Sequence, residues 1–287
     1  MLVHGDNLVQ KESNVDPRSR NGRLLKQIRC EYDKWRRANE RLVGPVAIPS
    51  DDDARIIAER TALFNDYKDF IDQQVYAEAF DSRSNLHSSV LEEFVYYLFR
   101  DLVASISQNA LIGKSHAYKD IFYSSSSFVE MVERPGFHIE RKDHDFVIGV
   151  DIAATFKCHG SENEQRETLQ IPAVAIECKT YLDKTMLEGA SNAAAQLMAV
   201  NPNALYMVLS EWLKLTDDVN LKKYRVDQIY ILRKQKNTDR KFRFLPTYRK
   251  NPIYPDVVER LFNDVRTHLT SQWNNSNAHG LERGYLL

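Results

Sequence analysis

The apolar positions in the first part of the chain recur at helical spacing. Between about residue 19 and residue 80 the sequence is rich in charge, and apolar side chains return every three or four positions, as in amphipathic helices. In the first of these helices the apolar residues are Leu24, Leu25, Ile28, Tyr32, Trp35 and Leu42. A second helix is expected from about residue 53 to residue 74, after a turn that contains two prolines. Residues 1–18 are polar and predict a loose N-terminal tail.

The following region consists mainly of short apolar runs separated by turns, a pattern typical of strands. Helices are expected at residues 88–104 and 184–200. The expected strands cover residues 137–140, 143–151, 171–179, 205–209 and 227–233. This order of elements implies a fold of the α/β (α+β) class, with a mixed central sheet flanked by helices.

The run 171–179 places two opposite charges at the end of an apolar strand. Side chains alternate between the two faces of a strand, so Glu177 and Lys179 point the same way. The residues expected to face the core are Val174, Ile176 and Cys178. Metal-dependent phosphodiester cleavage uses such a pair, a carboxylate for the metal and an ammonium near the attacking water or the phosphate. The alternative interpretation is a surface hairpin with ordinary solvated charges.

The run 143–151 offers a partner acid for this pair. Its alternation directs Asp145 and Asp151 to one face, and the residues expected to face the core are Phe146, Ile148, Val150 and Ile152. The polar connection 157–167 predicts a long hairpin, in which the start of the first strand lies beside the end of the second. Asp145 is therefore expected beside the charge pair, and Asp151 about 20 Å further along at roughly 3.3 Å per residue. Asp145 is the predicted metal-binding acid, and Asp151 is the reserve.

The motif formed by Asp145, a following apolar run, and then Glu177, Cys178 and Lys179 resembles the PD-(D/E)xK nuclease superfamily. His144 stands where the name of the superfamily has proline. The longer segments DHDFVIG and IPAVAIECKTYLDKTMLEGA are similar to type II restriction endonucleases. They are most similar to a small family that cuts a near-palindromic seven-base-pair site with two different subunits. The resemblance covers roughly residues 85–235.

This resemblance implies a restriction-endonuclease-like core that hydrolyses DNA phosphodiesters with Mg²⁺ as cofactor. Asp145, Glu177 and the backbone carbonyl of Cys178 would hold the metal. Lys179 would complete the catalytic set, because it can orient the attacking water or stabilise charge on the phosphate. Three regions are expected: the tail 1–18, a helical N-terminal region over 19–84, and a nuclease domain over 85–287 that includes a C-terminal helix at about 255–273.

A further metal ligand is expected from the first helix of the nuclease core, where the superfamily often has a Glu. Glu92 is the better match, because it lies at the margin of the apolar stripe whereas Glu93 points toward solvent on a helical wheel. The alternative for Glu92 is a solvated first-turn residue favoured by the helix dipole. Gln196 on the later helix is a weaker candidate, and a helix-surface amide is the simpler interpretation.

Composition restricts the partners of the protein without identifying them. The net charge is −1, with 39 basic and 40 acidic residues, so a DNA-binding field requires a local cluster. The 3 cysteines are scattered, which predicts a reducing compartment, and no apolar run is long enough to cross a membrane. The first residues lack a signal-peptide pattern. We therefore expect a cytoplasmic protein.

The segment 233–250 is the strongest local cluster of positive charge. Its eight basic residues, expected to contact double-stranded DNA, are Arg233, Lys234, Lys236, Arg240, Lys241, Arg243, Arg249 and Lys250. Phe242, Phe244 and Tyr248 interleave with them, which suits a backbone-tracking loop. The alternative is a solvated basic hairpin with its aromatic rings packed inward. The run 34–41 is a second, weaker patch.

The most specific hypothesis is a Mg²⁺-dependent type II restriction endonuclease that works as a dimer. One catalytic centre cuts one strand, so a double-strand break requires a second subunit, either identical or different. Two alternatives remain open: a DNA-binding partner subunit whose companion cuts, and a structure-selective DNA repair nuclease. The sequence does not reveal the recognition site, the cut position or the overhang.

Overall fold

A mixed five-stranded sheet lies at the centre of the protein, as the order of apolar runs predicts. The computed structural model describes residues 2–80, 85–134, 136–237 and 243–273, together with residues 281 and 284. The strands are β1 (Leu111–Tyr123), β2 (Phe137–Lys157), β3 (Glu164–Leu182), β4 (Leu205–Leu213) and β5 (Gln228–Ile231). The helices are α1 (Val3–Ser13), α2 (Arg20–Arg41), α3 (Asp53–Ile71), α4 (Gln74–Ala79), α5 (Leu86–Ile106), α6 (Phe128–Glu133), α7 (Lys184–Val200) and α8 (Pro255–Thr270).

The five strands lie side by side in chain order. β1, β2 and β3 pair antiparallel, and β3, β4 and β5 pair parallel. The change of direction follows from α7, because a parallel neighbour requires a crossover connection, and this helix provides one between β3 and β4. The expected fold class, a mixed sheet flanked by helices, is confirmed.

Each face of the sheet packs against a different helical layer. One face contributes Phe146, Ile176 and Cys178 to a core shared with α1, α2, α3, α5 and α8. The other face contributes Val147 and Ala175 to a core shared with α7. Successive side chains along β2 and β3 are therefore buried on opposite faces of the sheet, as expected for strands that are covered on both sides.

The first strand is absent from the sequence prediction. β1 buries Gly113, Ser115 and Ala117, and these small residues give it no apolar signature. The prediction also divided β2 into two strands, whereas it runs without a break from Phe137 to Lys157. Hydrophobicity marks a strand only where its inward side chains are large, and the inward side chains in the middle of β1 are small.

The outer half of the β2–β3 hairpin leaves the core. Val150 and Ile152, predicted to face the core, are 47% and 45% exposed, so this part of the prediction is wrong. Residues 150–153 are all exposed, which means that the hairpin continues past the helices that cover its inner half. The tip folds toward the start of β2, where the rings of Phe137 and Phe156 lie 3.9 Å apart.

The predicted loose tail is instead a docked helix. α1 occupies most of residues 1–18, and both His4 and Leu8 are fully buried. α1 packs against α5 and α2. Its sequence carries little amphipathic signal of its own, so its position depends on partners that are distant in the chain.

Glu93 is the principal partner of α1, and the prediction that it points toward solvent is wrong. Its side chain is fully buried. One carboxylate oxygen accepts from the backbone N–H groups of His4 at 2.9 Å and Gly5 at 3.0 Å, and the other accepts from the hydroxyl of Tyr32 at 2.9 Å. The first N–H groups of a helix have no partner within the helix, so a buried carboxylate at this end satisfies them.

The N-terminal helices and the sheet share one continuous core across the expected boundary at residue 84. The rings of Phe64 and Phe94 stack 4.3 Å apart, and those of Trp35 and Tyr97 meet edge to face at 5.4 Å. The N-terminal region therefore braces the helix that carries Glu92.

Among the described residues, no helix has the length and apolarity that crossing a membrane would require.

The docking of α1 predicts unequal effects of two adjacent substitutions. Leu8→Ala should lower the free energy of unfolding by about 2–5 kcal/mol, because Leu8 is completely buried and its truncation leaves a cavity. Val9→Ala is the matched control, since Val9 is 58% exposed and its truncation should change stability by less than about 0.5 kcal/mol. Urea denaturation measures both, and equal small effects would mean that α1 is not docked.

Candidate active site

The register of the β2–β3 hairpin brings the predicted acids together. Phe146 pairs with Ile176, so Asp145 and Glu177, the next residue on each strand, are neighbours across the ladder. This is the register that the hairpin argument predicts. β2 also bulges here, because the pairing with β1 shifts by one residue opposite Asp145. Bulges redirect side chains and are frequent beside active sites.

The reserve acid lies elsewhere on the hairpin. Asp151 pairs with Gln170 on β3, and the side-chain amide of Gln170 donates to its carboxylate at 3.1 Å. Asp151 is exposed, on the outer half of the hairpin that leaves the core. The choice of Asp145 over Asp151 therefore agrees with the geometry.

Lys179 joins the two acids. Its ammonium lies 2.6 Å from Glu177 Oε1 and 3.1 Å from Asp145 Oδ2, and the backbone N–H of Cys178 donates to the same Asp145 oxygen at 2.9 Å. The three charged side chains are between 20% and 26% exposed. The Asp145–Glu177–Lys179 cluster is thus partly desolvated and still open to solvent on one side.

The charges of this cluster depend on one another. Burial raises the pKa of Asp145, and the neighbouring ammonium of Lys179 only partly opposes this effect. Burial by itself would lower the pKa of Lys179, but Asp145 and Glu177 outweigh it and the pKa rises. Lys179 is therefore an ammonium at neutral pH, which makes it a hydrogen-bond donor and not a general base.

Glu92 enters the same site from α5. It is only 8% exposed, so its description as a solvated first-turn residue is wrong. Burial, and then the negative charge of Asp145, raise the pKa of Glu92 to about 7. Within the described part of the chain, its buried Oε2 atom has no hydrogen-bond partner, and the nearest cation is Lys114, with Nζ at 3.9 Å. A buried carboxylate oxygen without a partner is energetically unfavourable unless something else binds it.

One residue of the site, Tyr206, was not found from the sequence, and His144 was noted there only at the proline position of the motif. Tyr206, fully buried on β4, donates from its hydroxyl to Glu177 Oε2 at 3.3 Å. The ring of His144 packs edge to face against the ring of Tyr206, with centroids 5.8 Å apart. A tyrosine in a buried strand needs a partner for its hydroxyl, and this general rule was the available signal. Hydrogen bonds from outside a ligand set commonly fix the orientation of the ligands.

The donor set suits a hard divalent cation. Asp145 and Glu177 offer carboxylate oxygens, and Glu92 offers a buried oxygen without a partner, which are the atoms that Mg²⁺ prefers. In the described residues, no three or more His, Cys, Asp or Glu side chains are already grouped as a metal cluster. The ammonium of Lys179 instead bridges the first two carboxylates. Gln196, the weaker candidate, is exposed on α7.

Arg233 is not part of a DNA-contacting surface, contrary to the prediction. It is completely buried and donates to Glu211 Oε2 at 3.0 and 3.1 Å and to the carbonyl of Asn251 at 2.8 Å. Glu211, also fully buried, pairs with Lys68 at 3.0 Å. Buried charges of this kind are paired with one another, and breaking one pair is strongly destabilising.

The other described bases of the segment 233–250 are not buried as Arg233 is. Lys234, Lys236 and Lys250 are paired with acids, namely Asp256 at 2.5 Å, Asp217 at 3.0 Å and Asp69 at 2.5 Å respectively. Arg243 and Arg249 are exposed. Arg240 and Lys241, with Phe242, lie outside the described residues. The two ends of the segment are joined, because Gln235 donates to the carbonyl of Arg249 at 2.8 Å.

Two of the four bases in the weaker basic patch over residues 34–41 pair with acids of their own helix. Lys34 pairs with Glu31 at 2.6 Å, and Arg36 pairs with Glu40 at 3.3 Å. Surface pairs of this kind stabilise a helix by a few tenths of a kcal/mol. The other two bases of the run, Arg37 and Arg41, are exposed on the same helix.

Comparisons with known proteins give one family match and one structure of similar fold. The model of the Bpu10I restriction endonuclease family matches residues 83–286. No curated protein matches the chain in sequence. A solved structure described as the native BbvCI A2B2 tetramer at low resolution is similar in fold, with a TM-score of 0.67 and 20% sequence identity. The match covers 94% of this chain and 96% of that chain.

The raised pKa of Glu92 predicts that ionisation of this carboxyl lowers the free energy of unfolding of the metal-free protein as the pH rises. A carboxyl whose pKa is higher in the folded state destabilises the fold once it ionises, so the penalty appears as pH rises from about 4.5 to about 7. Glu92→Gln should therefore raise the free energy of unfolding at pH 8 by about 2–3 kcal/mol, and the gain should shrink toward pH 4.5.

Chemical denaturation in the presence of a chelator, at pH 8 and at pH 5, measures this difference. Glu188→Gln is the matched control, because Glu188 is 53% exposed on α7 and should have no comparable effect. A Glu92→Gln variant that is less stable than the wild type at pH 8 would contradict the prediction.

Proposed function

We propose a mechanism from one premise: the chain belongs to the Bpu10I restriction endonuclease family, whose model covers residues 83–286. As a member of this family it is a type II restriction endonuclease, which hydrolyses double-stranded DNA at a specific sequence. Family membership selects this function over a structure-selective repair nuclease. The observation that carries the assignment of residues is the Asp145–Glu177–Lys179 cluster at the end of β3.

Enzymes of this kind generally use a divalent metal ion, and the proposed ion is Mg²⁺. Asp145, Glu177 and the backbone carbonyl of Cys178 would hold it, together with Glu92. The oxygen-only donor set and the unbonded buried oxygen of Glu92 support this choice. When bound, Mg²⁺ supplies a more acidic water and charge compensation at the phosphate.

The protein residues have separate roles in the proposed hydrolysis. A water oxygen forms a bond to phosphorus while the bond between phosphorus and the 3′ oxygen breaks. The attacking water gives up a proton to solvent, and the departing 3′ oxygen takes up a proton from solvent, so the products are a 5′-phosphate and a 3′-hydroxyl. Lys179 stays protonated, so it donates a hydrogen bond to the attacking water or to the phosphate. Asp145 and Glu177 hold that ammonium in position. Tyr206 holds the Glu177 carboxylate.

The proposed DNA-contacting surface is narrower than the sequence predicts. Arg243 and Arg249 are the described arginines of the segment 233–250 that are exposed, so a phosphate backbone could reach them. Lys234, Lys236 and Lys250 would contact DNA only in exchange for their present acid partners. Arg233 would support this loop from the interior.

A second subunit is part of the proposal, because one catalytic centre cuts one strand. The similar structure is described as an A2B2 tetramer, a statement that concerns that protein alone. We infer that this chain also acts with a second nuclease subunit, either a second copy or a different chain. The cluster of three catalytic side chains supports a cutting role for this chain itself.

Glu177→Ala should abolish cleavage of a supercoiled plasmid in Mg²⁺ while leaving the melting temperature and DNA binding in Ca²⁺ near wild-type values. The variant removes a proposed metal ligand and one of the two partners of Lys179. Asp151→Ala is the control, because it removes an exposed acid of the same hairpin. Discrete fragments from the wild type would also locate the recognition site. Normal cutting by Glu177→Ala would exclude the cluster as the catalytic centre.

Arg249→Ala should weaken binding to duplex DNA in Ca²⁺ and reduce the slope of log affinity against log salt concentration by about one, the effect of losing a phosphate contact. Arg55→Ala is the control, since Arg55 is 63% exposed on α3 and pairs with Asp52. Fluorescence anisotropy over a salt series measures both slopes. Equal slopes for the two variants would exclude Arg249 from the DNA-contacting surface.

A further inference from the structure

Lys114 stands at the irregularity that shapes the catalytic site. Its neighbours on β1, Gly113 and Ser115, pair with residues three positions apart on β2. Lys114 alone is therefore opposite two residues, Asp145 and Phe146. A bulge of this kind bends the strand and re-aims its side chains, so it decides where both Lys114 and the catalytic acid point.

The side chain of Lys114 lies at the surface, and its ammonium is close to the buried carboxylate of Glu92 on α5. Its ammonium lies 3.9 Å from Glu92 Oε2, and its side chain is 42% exposed, against 9% for Glu92. A separation of 3.9 Å is too long for a hydrogen bond. The attraction between them is electrostatic, and it lowers the pKa of Glu92 against the larger effect of burial. Lys114 is thus near the acids and still accessible to a ligand.

The charge balance of the site indicates what that ligand is. When ionised, the carboxylates of Glu92, Asp145 and Glu177 face two ammonium groups, those of Lys179 and Lys114. These charges leave one net negative charge, which a divalent cation would convert to one net positive charge. A phosphodiester carries one negative charge and would then be neutralised. Without Lys114 the same site would offer DNA no net positive charge.

We propose that Lys114 is a further catalytic residue, whose ammonium contacts the phosphodiester that is cut and stabilises the charge that develops on it. The inference rests on the proposed function, because it takes the Asp145–Glu177–Lys179 cluster as the cleavage centre. Lys179 is held between two carboxylates, whereas Lys114 has one carboxylate at 3.9 Å and an exposed stem. The two lysines therefore have different roles: Lys179 is fixed among the acids and acts next to them, whereas Lys114 approaches the phosphodiester from the solvent side.

The test compares Lys114→Met with Lys114→Arg and with a control on the same strand. Lys119→Met is the control, because Lys119 already pairs with Glu140 at 2.5 Å and is 27% exposed. DNA binding in Ca²⁺ is measured over a salt series, and single-turnover cleavage or nicking is measured at saturating Mg²⁺. Melting temperatures show that each variant is folded, and Lys114→Gln replaces Lys114→Met if that variant does not fold.

Lys114→Met should reduce the salt slope of DNA binding by about one and slow single-turnover cleavage by roughly 100-fold. Lys114→Arg should retain most activity, and Lys119→Met should resemble the wild type. An unchanged salt slope would overturn the proposal. So would a normal cleavage rate at saturating Mg²⁺, since a lysine that only positions Glu92 would alter the metal dependence and leave that rate intact.

The same experiment separates this proposal from the one on which it rests. If Glu177→Ala is inactive and Lys114→Met cuts normally, the role of Lys114 is wrong and the catalytic centre stands. If Glu177→Ala cuts normally, the catalytic centre itself is wrong. If the isolated chain does not cut, the salt slope in Ca²⁺ still decides whether Lys114 contacts phosphate.

Discussion

The pairing register of β2 with β3 is the constraint on which the rest of the structure depends. Because side chains alternate along a strand, a slip of one residue would exchange the two faces of both strands. The pairing of Phe146 with Ile176 buries one set of apolar side chains under α5 and the other under α7. The same pairing makes Asp145 and Glu177 neighbours. Core packing and the geometry of the proposed site are therefore fixed by one interaction, and neither can change alone.

α5 shows how adjacent residues of one type acquire opposite roles. Glu93 is buried with both oxygens satisfied, by the first N–H groups of α1 and by the hydroxyl of Tyr32. Glu92 is buried on the side of the cluster, with Oε2 lacking a partner within the described residues. A satisfied buried carboxylate holds the structure together, whereas an unsatisfied one is typical of a functional site. The docking of α1 and the bracing by α3 thus set the position of a proposed metal ligand.

The charged residues near the end of β4 show why a count of basic residues does not describe a surface. Arg233, Glu211 and Lys68 form a buried network that joins the sheet to α3. Charges that are paired in the interior contribute little to the field outside the protein. Of the described arginines in the segment 233–250, Arg243 and Arg249 are exposed and Arg233 is not, so only the first two can add to the field at the surface.

The sequence by itself determined the α/β class, the hairpin register and the approach of Asp145 to Glu177 and Lys179, because these follow from a period of two along neighbouring strands. The role of those residues in catalysis is a separate proposal. Only the tertiary structure decided what depends on distant partners. His4 binds a carboxylate 89 residues away, and β1 buries small side chains that leave no apolar pattern. Local periodicity records which face of an element is buried, but it does not record which residue lies opposite.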